Sequence, residues 1–292
     1  MKVYPNVLCE SGMVDQEKLT YHFQERGLQF GDGIYEVIRV YSGKYYLLEE
    51  HIDRMYRSAQ AIKLRLPFQK KELYEKLDYL LDVNNIKTDV KVYLQATRGS
   101  ALRDHVFPDV EANFYAYVQD MPRPEALLST GVSAITLPDT RWQNCYIKSL
   151  NLLPNVLAKQ EAKENGAFEA ILHRDQTITE CSASNVYLVK DNNVYTHPET
   201  NQILHGCVRS RIKILAAEAN IPFYEEAFTL EQLQNADEVF LTSSTAEVMP
   251  IIEIDGKPVN GKTPGKVTRE LQKAYQRDAH LIDTPNVQST SH

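Results

Sequence analysis

Two prolines flank a single residue in Asp120-Met121-Pro122-Arg123-Pro124, and no other stretch limits the fold of this chain as much. Each proline lacks a backbone N–H and has a fixed φ, so neither a helix nor an inner strand runs through the segment. A chain of 292 residues broken there is long enough for two units, each with its own core. The expected division is a smaller N-terminal α/β domain over 1–119, a linker at 120–125 and a larger domain over 126–278. Residues 279–292 are polar and aperiodic and are expected to form a disordered tail.

Before the break, strand and helix patterns alternate. Gly33–Tyr41 reads as a strand, Ser42-Gly43-Lys44 as its turn and residues 45–48 as the return. Residues 49–63 place Met55, Ala59 and Ile62 on one helical face, and residues 70–84 do the same with Leu73, Leu77, Leu80 and Leu81. Val90, Val92, Leu94 and Ala96 alternate as in a half-buried strand. After the break, strands are expected at 132–137, 170–173, 184–189, 194–196 and 238–242, a helix at 208–219, and a hairpin with an Asp-Gly turn at 253–257. The fold class is mixed α and β, with the second part strand-rich.

The net charge of -7, with no Lys/Arg block, argues against a nucleic-acid partner. The start, Met1-Lys2-Val3-Tyr4-Pro5, has no apolar stretch behind it, and no segment approaches membrane-spanning length, so the cytoplasm is the expected location. Cys9, Cys145, Cys181 and Cys207 form no CxxC and no zinc-like spacing; buried free thiols are expected and no metal ligands.

The chemistry is read from two motifs. In Tyr146-Ile147-Lys148-Ser149-Leu150-Asn151-Leu152-Leu153, a lysine stands between a strand-like run and an apolar helix. An amine desolvated there loses its proton more readily and becomes a nucleophile. In Thr177-Ile178-Thr179-Glu180-Cys181-Ser182-Ala183-Ser184-Asn185, a carboxylate ends a strand beside small polar residues. Together they suggest pyridoxal 5'-phosphate (PLP) bound to Lys148 as a Schiff base, with Glu180 against the pyridine nitrogen. In Gln202-Ile203-Leu204-His205-Gly206-Cys207-Val208 a glycine stands just before a helix, whose start offers free N–H groups to a phosphate, and Thr242-Ser243-Ser244-Thr245 offers hydroxyls. Arg54, flanking the buried stripe of its helix, suits phosphate or an ion pair with Asp53 or Glu50. The loop from Thr97 to His105 holds three potential cations, Arg98, Arg103 and His105, and could trap a substrate carboxylate.

These motifs resemble the fold-type IV PLP enzymes, most closely the bacterial D-amino acid aminotransferases. The resemblance extends from Arg26-Gly27-Leu28-Gln29-Phe30-Gly31-Asp32-Gly33-Ile34-Tyr35-Glu36 to Ile251-Ile252-Glu253-Ile254-Asp255-Gly256, through Glu50-His51-Ile52-Asp53-Arg54 and Ala158-Lys159-Gln160-Glu161-Ala162. It implies a small N-terminal α/β domain and a larger β-barrel-like domain. Lys148 is implied as the cofactor-binding lysine and proton shuttle, with Glu180 at the ring nitrogen. Arg54, Ser244 and the backbone of Cys207 and Val208 are implied on the phosphate, with Ser243 beside them, and Leu204 against the ring. Tyr35 is implied at the substrate carboxylate, with Arg103 and His105 reaching across a homodimer interface. Two positions depart from the family pattern: Val208 stands where a threonine is common, and Ala183 where a serine is.

The implied activity is ping-pong transfer between D-amino acids (D-alanine, D-glutamate, D-aspartate) and 2-oxoglutarate or pyruvate. The alternatives are a branched-chain L-aminotransferase or an aminodeoxychorismate lyase of the same fold, and, further off, a non-catalytic dimer that binds a phosphorylated ligand.

Overall fold

The computed structural model of the chain describes residues 1–282. β1 (Asn6–Cys9) and β2 (Gly12–Asp15) form a hairpin, α1 (Arg26–Phe30) leads into β3 (Gly33–Tyr41), and β4 (Lys44–Tyr46) returns beside β3. Two consecutive helices follow, α2 (Leu48–Ala61) and α3 (Lys70–Val83), then β5 (Val90–Thr97) and β6 (Asn113–Asp120). The sheet order is β2-β1-β6-β5-β3-β4, and every pair is antiparallel. The expected elements form in the expected order, a strand, its return, two helices and a strand, so strand and helix do not strictly alternate. Antiparallel neighbours need no crossover helix, so the two helices follow one another. They close one face of the sheet: Ile34, Ile38 and Val40 of β3 and Val92 and Leu94 of β5 pack against Ile52 and Met55 of α2 and Leu73 and Leu77 of α3.

β6 stands outside the sequence reading because its outward residues include Tyr115 and Tyr117. Their apolar bodies hide the alternation that Phe114, Ala116 and Val118 make on the buried face.

The chain then passes through Met121–Pro124 into α4 (Glu125–Thr130) and β7 (Val132–Pro138). α5 (Leu153–Glu164), β8 (Glu169–Arg174), β9 (Thr177–Cys181), β10 (Asn185–Lys190) and β11 (Asn193–Tyr195) follow. Next come α6 (Cys207–Glu218), β12 (Phe223–Tyr224), α7 (Leu230–Gln234) and β13 (Glu238–Ser243). β14 (Glu247–Ile254), β15 (Lys257–Pro258) and α8 (Lys266–Asp278) complete the order. These strands make one mixed sheet, β12-β11-β10-β13-β14-β7-β8-β9, with β15 beside β14. The sheet curls into a half-barrel. One face buries Ile171, Val186, Leu241 and Met249; the other is covered by α6 and α8 through Ile212, Leu215, Leu271 and Tyr275.

The two sheets are tied together by polar contacts. Tyr41 of β3 packs in the second core, and its hydroxyl donates to Glu247 Oε1 of β14 at 2.9 Å. Arg123, between the two prolines, donates to both oxygens of the same carboxylate at 2.8 and 2.7 Å. α8, absent from the sequence reading, carries Val267, Leu271, Ala274 and Tyr275 on its buried side. The stretch expected as a tail from residue 279 begins with Ala279 buried and Leu281 packed on that core; 283–292 lie outside the described residues. No helix among the described residues is long and apolar enough to cross a membrane.

Candidate active site

β4 is short and pairs only with Arg39–Tyr41, which leaves the outer edge of β3 at Gly33–Tyr35 without a strand partner. Backbone groups at such an edge need partners. The loop before α5 supplies them: Leu150 N donates to Gly33 O at 3.0 Å and Tyr35 N donates to Lys148 O at 3.1 Å. Lys148 N in turn donates to Ser58 Oγ of α2 at 3.1 Å. Lys148 is thus fixed through its backbone on an irregular loop, not at the end of a strand-like run. Its Nζ lies 4.3 Å from the centre of the Tyr35 ring. The side chain is half-buried, and the apolar residues of the helix that follows, Leu153, Val156 and Leu157, are exposed.

Lys148 and Tyr35 open onto a cavity of about 360 Å³ between the two sheets. The same cavity is lined by Glu180 of β9, by Leu204, Cys207 and Val208 around the start of α6, by Ser243 and Ser244 at the turn from β13 to β14, and by Arg54 of α2. The sequence-expected cofactor residues therefore meet in one place.

Glu180 is buried, and its carboxylate accepts from Arg141, from Leu204 N at 3.0 Å and from Asn185 Nδ2 at 2.9 Å. Burial pushes its pKa above the ordinary carboxylate value, against the pull of Arg141. Arg141 is shared with Asp139, which it contacts through Nε and Nη2 at 2.9 Å each.

Gly206 precedes α6 and gives it no side-chain cap, so the first N–H groups of the helix, at residues that line the cavity, are unclaimed by a capping side chain. A Cβ at Gly206 would collide with Asn185 Oδ1. Asn185 also donates to Leu204 O at 2.9 Å, so the glycine lets the helix start approach the arm that holds Glu180. This cradle, with a guanidinium and two serines around it, fits a phosphate group.

The partner expected for Arg54, Asp53 or Glu50, is corrected by the structure. Asp53 turns outward to Lys70, and Glu50 is exposed. Arg54 turns inward, donating from Nε and Nη2 to the two oxygens of Glu36, each at 2.8 Å. Its Nη1 donates to His205 O at 3.2 Å. Glu36 is fully buried, and burial alone would raise its pKa; Arg54, then His51, outweigh that and hold the carboxyl well below the usual range. His51 Nδ1 is 2.7 Å from Glu36, and its Nε2 is 3.0 Å from Ser244 Oγ.

Arg103 and His105 do not line the cavity of their own chain. They sit in the exposed loop between β5 and β6, with the Arg103 guanidinium 4.7 Å and the His105 ring 5.5 Å from the Phe30 ring. The third cation of that loop, Arg98, is structural: it pairs with Asp32 and donates to Ile62 O and Lys63 O.

Glu36, His51, Arg141 and Asn185 lie outside the set of sites named from sequence. Glu36 had a signal, since it occupies the buried phase of β3 between Ile34 and Ile38, where a charge requires a partner. His51 stands three residues before Arg54, on the same helical face. Nothing local marked Arg141. All four cysteines are buried and free, as expected, and Cys145 and Cys181 line the cavity together with Cys207.

A half-barrel and an antiparallel α+β lobe closing over a cavity with a lysine, a buried acid and a phosphate cradle is the architecture of the fold-type IV, PLP-dependent transferases. Residues 33–254 match the Amino-transferase class IV family, and the chain belongs to it. It is 49% identical over 280 residues to the D-alanine aminotransferase of Staphylococcus aureus (strain MSSA476), covering 94% of this chain and 99% of that one. It is 45% identical to the D-alanine aminotransferase of Bacillus licheniformis, covering 92% and 95%. Among solved structures, the branched-chain aminotransferase of Thermoproteus uzoniensis with norvaline superposes with a TM-score of 0.88 at 25% identity, covering 97% of each chain. The branched-chain amino acid aminotransferase of Escherichia coli gives 0.86 at 25% identity, covering 94% of each.

Proposed function

We propose that this aminotransferase moves amino groups between D-amino acids (D-alanine, D-glutamate, D-aspartate) and 2-oxo acids such as 2-oxoglutarate and pyruvate, by a ping-pong route with PLP in the cavity. The observation that carries this reading is the convergence of Lys148, Glu180 and the uncapped start of α6 on one cavity. The choice of D-amino acids over branched-chain L-amino acids is supported by the 49% identity to D-alanine aminotransferase, against 25% for the branched-chain neighbours.

When bound, PLP supplies an aldehyde that takes up amino groups and a ring that draws electrons from the adjacent carbon. The chain's own residues supply the rest. Lys148 Nζ would take the proton from the substrate Cα and deliver it to the cofactor carbon that carries the amino group, and would run the same transfer in reverse with the second substrate. Glu180, its oxygens held by Arg141, Asn185 and Leu204 N, would set a carboxylate against the ring nitrogen and keep it protonated. Arg54, Ser243, Ser244 and the N–H groups of Cys207 and Val208 hold the phosphate, and Leu204 packs on the ring. With Val208 in place of a threonine, only its backbone can donate.

Tyr35 holds the substrate carboxylate together with Arg103 and His105 of a second copy. A homodimer is supported by the surface around them: Leu102, Val106 and Phe107 are exposed in that loop, as are Leu153, Val156 and Leu157 on α5. Two domains meeting at 120–125 belong to the same proposal, supported by the separate sheets on either side. The cytoplasm is proposed as the compartment, supported by four free thiols.

The test is the visible spectrum of the PLP-loaded protein as D-alanine and L-leucine are added separately. D-alanine alone should bleach the band of the bound cofactor. Bleaching by L-leucine alone would move the enzyme to the branched-chain group, and no band after adding PLP would remove the cofactor assignment. Arg103→Ala is expected to raise KM for D-alanine about tenfold or more, the loss of a charge-assisted hydrogen bond, while leaving the cofactor spectrum as it is. An unchanged KM would rule out the carboxylate trap.

A further inference from the structure

Glu36, His51 and Ser244 form a continuous hydrogen-bonded chain from the core of the first sheet to the proposed phosphate cradle on the second. We propose that His51 is a positioning residue for the cofactor phosphate: it fixes the Ser244 hydroxyl so that its proton points into the cradle, and Glu36 fixes His51. The proposal rests on the reading that Ser244 and Arg54 hold the phosphate.

The proton bookkeeping follows from the partners. Glu36 is an ionised carboxylate and can only accept, so the His51 Nδ1 facing it at 2.7 Å carries a hydrogen. That leaves Nε2 to decide what Ser244 does. If Nε2 is bare, it takes the Ser244 hydrogen, and the hydroxyl has only lone pairs to show a phosphate. If Nε2 is protonated, it donates to Ser244 Oγ across the 3.0 Å contact, and the hydroxyl hydrogen is free for another acceptor. The surroundings favour the second state. Burial works against a charged ring, but Cys207 of α6, as a thiolate whose own pKa Arg54 and His51 lower against its burial, and Glu36 of β3 outweigh it and push the His51 pKa up to about 9. Arg54, the charged neighbour on the same helix, is engaged by both oxygens of Glu36. The residue packed from the turn after β13, Ser244, carries no charge.

The device is rigid: His51 is 1% exposed and Glu36 fully buried, and the bidentate Arg54 pair fixes the carboxylate in place. It also joins the two sheets at the cofactor, since Glu36 lies on a strand of one and Ser244 follows a strand of the other.

The experiment titrates the cofactor-free protein with PLP and with pyridoxal, which lacks the phosphate. It compares wild type, Ser244→Ala, His51→Leu and the double variant. Ser244→Ala and His51→Leu should each weaken PLP binding roughly tenfold to hundredfold, the range for one hydrogen bond to a charged group. Pyridoxal binding should stay within about twofold, and the double variant should bind PLP no more weakly than the worse single one, because both remove the same contact. His51→Gln, whose amide can still donate, should recover part of the loss. In wild type the ratio of PLP to pyridoxal affinity should fall as pH rises through about 9 and hold steady in Ser244→Ala, a readout that does not require a His51 variant to fold.

If Ser244→Ala leaves PLP binding unchanged, the phosphate reading fails and the proposal with it. If Ser244→Ala weakens binding while His51→Leu does not, the positioning role alone is overturned. Equal losses for PLP and pyridoxal in His51→Leu, additive losses in the double variant, or a wild-type ratio flat across pH 9 would also overturn it.

Discussion

Lys148→Ala is expected to lower D-alanine transamination by at least about a thousandfold, with the fold intact. Loss of a positioned proton carrier alone accounts for about 10²–10⁴ in rate, and in the proposed function Lys148 is also the amine that attaches the cofactor. The fold should survive because the loop is held by backbone groups: Lys148 O accepts from Tyr35, Lys148 N donates to Ser58, and Leu150 N reaches Gly33. The side chain contributes little more than its contact with the Tyr35 ring. A coupled steady-state assay and a thermal melt check both halves of this expectation. A melting point near wild type with a rate within tenfold of wild type would remove Lys148 from the reaction centre.

Arg54→Met should combine a large stability loss with a large affinity loss. The substitution leaves Glu36 buried and without the partner that engages both of its oxygens. Breaking a buried pair in this way costs about 3–5 kcal/mol, because an uncompensated charge remains inside. In a chain of this size that corresponds to a drop of roughly five to eight degrees in Tm. The pH dependence has a definite sign. A carboxyl whose folded pKa is depressed contributes stability above its unfolded pKa and loses it as pH falls towards the folded value. Burial raises the Glu36 pKa and Arg54 is the largest opposing influence, so without Arg54 the carboxyl titrates higher and acid unfolding begins at a higher pH. PLP should also bind at least about a hundredfold more weakly, since the guanidinium proposed to hold the phosphate is lost. A melt across pH 3 to 8 and a cofactor titration test these together; an unchanged acid limb would show that His51 alone satisfies Glu36.

Much of the chemistry was legible before any fold was known because it is carried by short colinear stretches. Lys148, Glu180, Leu204, Cys207, Val208, Ser243, Ser244 and Arg54 each stand in a local pattern, and all eight line the same cavity. Their roles remain proposals for the experiments above. Local periodicity likewise located β3, α2, α3 and α6 to within two or three residues, since burial on one face leaves its period in the sequence. β6 escaped because its outward tyrosines mask that period.

What the sequence determined by itself was therefore the set of side chains proposed for the reaction and the segments that carry them. The tertiary structure alone decided which charges meet. Arg54 had two acidic neighbours on its own helix, yet its partner is Glu36, eighteen residues away on β3. Arg141 reaches Glu180 across thirty-nine residues, and His51 reaches Ser244 across one hundred and ninety-three. A buried charge takes whichever partner the packing presents at hydrogen-bonding distance, and that proximity is a property of the closed sheets and leaves no trace in local sequence.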